Sequence, residues 1–223
     1  MPGFAGFDSA DFPGADVMAW LKANTNLVWC GYYLAPAPSH RSTSWMGQRA
    51  ALQSAGWGVA PVYVGQQLKG PGSHVVTGAQ GAIDGADAAN LLAGEGFPAG
   101  SCVYLDLEDG PPFNPPRTDY VAAWVDAVAA AGFLPGVYCS HGFAANVRAL
   151  RPAIRIWAYK VPITAQHPVP GTSFPESDPS GCGYPGAHIW QLDQNGVITV
   201  AAAQSGSLEV DLDTALTANP GAP

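Results

Sequence analysis

Short apolar runs alternate along the chain with segments in which apolar residues recur every three or four positions. FAGFD (4–8), NLVWCGYYL (26–34), GVAPVYVGQ (58–66), SCVYLDLED (101–109), FLPGVYCS (133–140), IRIWAYK (154–160), AHIWQLDQNG (187–196) and SLEVDLDTAL (207–216) read as strands. Helices are predicted over 16–23, 42–56, 79–96, 117–132 and 143–150. The second of these would be capped by Ser42 or Thr43 and stopped by Gly56, and the fourth shows Val121, Trp124, Val125 and Val128 on one face. Residues 161–186 break the alternation: they are rich in Pro, Gly and Ser, without a helical period. Asn195-Gly196 then marks a hairpin link between the last two strands. Strands alternating with helices imply a parallel sheet with crossover connections. The expectation is an α/β fold in one domain over residues 1–223. It would be a single (β/α)8 TIM-type barrel with eight strands, about five helices, and some helices missing or shortened.

The polar exceptions inside the apolar runs carry the chemistry. In VYLDLEDG (103–110), Tyr104, Asp106 and Glu108 share one face of a strand, and Val103, Leu105 and Leu107 share the other. Only four glutamates occur in the chain, so one at the end of a buried strand stands out. Asp8 closes the first strand, and Asp211 and Asp213 alternate with Val210 and Leu212 in the last. In a closed barrel the first and last strands are neighbours, so these acids would converge on the mouth at the C-terminal strand ends. Asp213 also has a structural reading, as the cap of a C-terminal helix. Tyr63, Tyr138, Trp157 and Gln191 fall at or near strand ends and are the candidate substrate-binding residues.

An acidic mouth ringed by aromatics suits sugar chemistry, in which rings stack on aromatic faces and carboxyl groups supply an acid and a base or nucleophile. Crowding and burial keep one carboxyl protonated near neutral pH. Glu108, with the longer side chain, is the candidate general acid, and Asp106 would orient it or stabilise positive charge on the sugar. Asp8 or Asp211 would position water or act as nucleophile, unless a 2-acetamido group of the substrate does so itself. The alternative is a catalytically inactive barrel that binds a glycan or a partner.

Composition narrows the partners. The chain is 48% hydrophobic and 12% charged, enough apolar residues for a sizeable core. A net charge of −8 argues against nucleic acid and anionic membranes, and suits a neutral polysaccharide. No apolar stretch is long enough for a membrane span, and MPGFAGFD lacks the features of a signal peptide. Metal-dependent barrels place histidines at strand ends, where this chain has acids, aromatics and glutamine, so no metal or other cofactor is assigned. Cys30 and Cys102 read as core residues. Cys139 and Cys182 lie near strand ends or loops, where a disulfide is an open alternative. A monomer is expected.

The order GFD, an Asp-x-Glu motif on strand four, VYCS, IWAYK, IWQ and VDLD resembles the glycoside hydrolase family 25 lysozymes. GADAANLLAGEGFPAGSCVYLDLE is more closely similar to the related glycoside-hydrolase-like domains catalogued as domain of unknown function 1906. The resemblance implies Asp8, the Asp106–Glu108 pair and Asp211 as catalytic residues, with Tyr138 and Gln191 in the cleft. It also implies hydrolysis of a bacterial cell-wall polysaccharide, most simply at the β-1,4 bond after N-acetylmuramic acid. The setting would be extracellular, cell-wall-associated, or that of a phage-delivered lysin. Lys160 in IWAYK and the 161–186 insert depart from the muramidase pattern.

Overall fold

The computed structural model describes residues 2–70, 72–110 and 112–223. The chain runs β1 (Phe4–Asp8), α1 (Ala15–Asn24), β2 (Trp29–Tyr33), α2 (Arg49–Ser54), β3 (Gly58–Val64), α3 (Gly78–Gly94), β4 (Cys102–Asp106), α4 (Arg117–Ala130) and β5 (Leu134–Ser140). It continues through α5 (Ala144–Leu150), β6 (Arg155–Tyr159), β7 (His167–Pro168), β8 (Ala187–Thr199) and β9 (Ser207–Ala215). Neighbouring strands from β1 to β6 pair in sequence, β6 pairs with β8, and β9 closes the ring against β1. The result is a closed eight-strand barrel with five helices, consistent with the TIM-type class, and β7 is a two-residue addition on the edge of β8.

Strand direction departs from a uniformly parallel barrel. β9 is antiparallel to both β8 and β1, because a short turn over 200–206 reverses the chain. Asn195 and Gly196 lie inside β8, at irregularities in its pairing, and are not the hairpin link. Asn195 does have a positive φ of 56°, the property that made Asn-Gly look like a turn. The helix predicted over 42–56 shrinks to Arg49–Ser54. Ser42 bonds to Asp11, and the Ser44 hydroxyl accepts the Phe12 amide, so these residues tie down a loop and do not start a helix. No helix follows β9, and Asp213 is a strand residue, not a cap.

Side-chain alternation sorts the apolar residues into two layers. Val103, Leu105 and Leu107 join the layer between barrel and helices, with Tyr63, Tyr120, Val121 and Trp124. Trp29, Ala60, Val62, Val64, Cys102, Tyr104, Trp157 and Ile189 fill the interior. α3 carries glycines at 81 and 85 that look like helix breakers. They are contact points: a Cβ on Gly81 would stand 2.2 Å from the Tyr120 carbonyl oxygen, and one on Gly85 2.6 Å from that of Trp124. The two helices therefore pack nearly backbone to backbone. All four cysteines are buried free thiols, so Cys139 and Cys182 are not bridged.

The end of the barrel nearest the N-termini of the parallel strands is closed by residues 216–223. The Cys102 amide donates to Gly221 O (2.9 Å), the Gly221 amide to Val59 O (2.9 Å), and the Val59 amide to Asn219 Oδ1 (3.0 Å). Arg155 donates to the carbonyls of Pro220 (3.3 Å) and Ala222 (3.1 Å). The opposite end, at the C-termini of the parallel strands, is open.

Candidate active site

At that open end the strands present a cleft of about 320 Å³, lined by Asp8, Tyr33, Val62, Asp106, Glu108, Tyr138, Trp157, Tyr159, Gln194 and Asp211. The strand periodicity explains why these residues meet. Asp8 is the last residue of β1 and pairs directly with Asp211 on the antiparallel β9, which brings an acid from the middle of β9 up to the rim. Asp106 ends β4, and Glu108 stands two residues beyond it, exposed at the rim. Tyr33 ends β2, while Tyr138, Trp157 and Tyr159 come from β5 and β6.

Asp8 accepts a 2.6 Å hydrogen bond from the Tyr33 hydroxyl. The Gln191 amide nitrogen donates to Asp211, and its carbonyl oxygen accepts from the Tyr138 hydroxyl. The Asn195 amide donates to Asp211 Oδ1 at 2.8 Å, a contact that the positive φ of Asn195 helps to aim. Trp157 Nε1 donates to Asp213 Oδ1 at 2.8 Å, and the indole meets Tyr138 edge-on at 5.7 Å between centroids. The Tyr159 hydroxyl donates to the Glu108 carbonyl oxygen (3.2 Å), so the acid-bearing segment is held from β6. Behind it, the buried Arg117 donates to the carbonyls of Asp109 (2.6 Å), Gly110 (2.7 Å) and Pro112 (2.8 Å). On the other side Gln67 Nε2 donates to Asp106 O at 2.9 Å.

No lysine or arginine is among the lining residues, so burial and mutual repulsion act on the carboxyls without a cationic partner. Burial, then the charges of Glu108, Asp8 and Asp211, push Asp106 well above the usual carboxylate range. Burial raises Glu108 too, followed by Asp109 and Asp8. Asp211 is pushed up to about 8 by burial and by Asp8, against the hydrogen bonds from Asn195 and Gln191. Burial also raises Asp8, although the Tyr33 bond works the other way. Asp106 Oδ1 is buried with no partner among the described residues, as expected for a group able to carry a proton. Among the described residues, no group of three or more His, Cys, Asp or Glu side chains is arranged to hold a metal ion.

The structure thus brings together Asp8, Asp106, Glu108, Asp211, Tyr138 and Trp157. Gln191 sits just beneath them, 1% exposed, as a brace between Tyr138 and Asp211. Tyr63 does not join them. Its neighbours Val62 and Val64 point inward, so Tyr63 points outward, where its hydroxyl donates to Asp87 on α3 (3.0 Å) and its ring packs on Trp124. Sequence reasoning passed over Tyr33, Tyr159 and Gln194. The first two share the inward parity of Trp29 and Trp157, which would have found them. Gln194 reaches the cleft through irregular pairing in β8 that no pattern announces.

Residues 19–214 match the family model for the Rv2525c-like, glycoside hydrolase-like domain. Among solved structures, the chain is similar to a B. stearothermophilus protein (18% identity, TM-score 0.64, 96% of each chain covered). It is also similar to the Tat-secreted Mycobacterium tuberculosis protein Rv2525c in complex with HEPES (17%, TM-score 0.60, 99% of this chain and 97% of that one). The bacterial lysozyme from Streptomyces coelicolor is a third such structure (15%, TM-score 0.57, 96% and 93%). At these identities the likeness is one of fold. No curated protein sequence matches the chain.

Proposed function

The chain belongs to the Rv2525c-like glycoside hydrolase-like family, and we propose that it hydrolyses glycosidic bonds of a bacterial cell-wall polysaccharide, with Glu108 as general acid. One observation carries this reading: Glu108 stands at the rim of a cleft that also holds Asp8, Asp106 and Asp211, with no cation to keep them ionised. Glycoside hydrolysis needs one carboxyl that still holds its proton for the leaving oxygen and a second group to meet the developing positive charge. Glu108 is reachable from solvent, and its acidity is weakened by burial and neighbouring acids. Both features support Glu108 as the group that protonates a bound linkage.

Asp106, deeper and next to Glu108, disfavours early loss of that proton. Asp8, steadied by Tyr33, faces the sugar carbon as a carboxylate that stabilises the oxocarbenium-like state or directs water or an acetamido oxygen to it. Tyr33, Tyr138, Trp157 and Tyr159 supply ring faces and edges that pack against a pyranose. The resemblance in fold to the Streptomyces lysozyme supports peptidoglycan as the first polymer to try. The Tat-secreted relative supports action outside the cytoplasm.

The test is a digest of purified wall polymers by wild type and Glu108→Gln, read as new reducing ends. Release by wild type that falls about 10²- to 10⁴-fold in the variant, the usual worth of a general acid, supports the reading. No release by either, with equal retention on the polymer, would replace it with glycan binding alone.

A further inference from the structure

Asp213 is the one inward acid of β9 that does not line the cleft. It is 1% exposed and one layer below Asp211, opposite Gly6 in the β1–β9 register. Its Oδ1 accepts the Trp157 indole N–H, and its Oδ2 finds no donor among the described residues. Its carboxyl group is nevertheless within hydrogen-bonding range of the carboxyl of Asp8. Two carboxylates cannot bond to each other without a proton, and two buried charges in contact would repel strongly. The groups facing the pair decide which oxygen holds that proton. Tyr33 on β2 donates to Asp8 and so favours a charge there. Asp211 on β9 and Asp106 on β4 also face the pair but keep protons of their own below neutral pH, and Trp157 on β6 supplies only one neutral donor to Asp213.

We propose that Asp213 is a positioning residue that holds one proton against Asp8, so that the pair carries a single negative charge, located on Asp8 and directed into the cleft. Asp8 would then accept two hydrogen bonds, from Tyr33 and from Asp213, fixing its carboxylate although it is buried among other acids. Burial and Asp8 both weaken the acidity of Asp213, in agreement with this arrangement. The catalytic consequence rests on the glycosidase reading. The proton itself belongs to the folded chain whatever the reaction.

The test is therefore made first without activity, by denaturant unfolding of the whole chain across about pH 4.5 to 6.5. There an unfolded aspartate is ionised, while the folded pair keeps its proton. Relative to Asp213→Asn, the unfolding constant of the wild type should rise about tenfold more per pH unit, the signature of one proton. Asp8→Asn should lose the same slope, since the proton is held against the Asp8 carboxylate and an asparagine amide can donate to an ionised Asp213. Asp213→Ser gives the same reading should the asparagine variant fail to fold. Equal slopes for wild type and the Asp213 variants, or a slope kept in full by Asp8→Asn, would overturn the shared proton. On the wall digest, Asp213→Leu should lower kcat at little changed KM, and Asp213→Asn, whose amide still donates to Asp8, should restore part of the loss. Equal losses in both would remove the positioning role. A wild type that releases nothing would defeat the glycosidase reading but leave the slope comparison standing.

Discussion

At one end of the barrel Asp8, Asp106, Glu108 and Asp211 surround an open cleft. At the other, residues 216–223 cross beneath the strands and satisfy their amides. The same eight strands serve both ends, but at the closed end residues 219–222 pair with strand amides, carbonyls and Arg155, while the open end holds carboxyls with no lysine or arginine among the residues lining the cleft. The closed end adds stability at any pH. The open end withholds it, because each acid with raised pKa keeps a proton that the unfolded chain gives up.

The comparison can be broken from either side, and the largest effect expected is on catalysis. Glu108→Gln should lower the rate of wall hydrolysis by about 10²- to 10⁴-fold with little change in melting temperature. Trp157→Ala comes next. It removes a fully interior indole that packs on Trp29, Tyr104 and Tyr138 and donates to Asp213, and should cost about 3–5 kcal/mol in chemical denaturation.

At the closed end Asn219→Ala strands the Val59 amide and should cost about 1–3 kcal/mol, by the same amount at every pH. Asp211→Asn should behave differently. The folded value of Asp211 near 8 lies above its unfolded value of about 3.9, so its contribution is fully present below about pH 4 and lost as pH rises toward 8. The wild type should therefore lose about 1.4 kcal/mol per pH unit more than the variant through that window. Parallel curves would show that the acidity of Asp211 is not altered by folding. Smallest of all, Tyr63→Phe removes an outward hydroxyl bonded to Asp87 and should cost about 0.5–1.5 kcal/mol with kcat/KM unchanged.

Much of this contrast is written in alternation along the strands. Asp106 and Glu108 opposite Leu105 and Leu107 already place acids inward and apolar residues under the helices, and Asp8 and Asp211 meet because the first and last strands must close the ring. The same rule, applied to Val62 and Val64, excludes Tyr63 from the cleft and, applied to Trp29 and Trp157, admits Tyr33 and Tyr159. Nearness to a strand end alone admits Tyr63; Tyr33 and Tyr159 have both the position and the parity. The position of Gln194 and the displacement of Asn195-Gly196 from turn to strand depend on pairing irregularities in β8, which are tertiary. The closure by residues 216–223 is likewise hard to read in advance, since apart from the side chains of Asn219 and Arg155 its bonds use backbone groups that carry no residue signature.

Whether the open end keeps Glu108 protonated beyond the ordinary glutamate range can be read directly. The chain has only four glutamates, so a protein labelled with ¹³C at the glutamate carboxyl gives four side-chain signals, and Glu108→Gln identifies the one that matters. That signal should titrate above about 4.3, the value of an unperturbed glutamate. A midpoint at or below that value would contradict it.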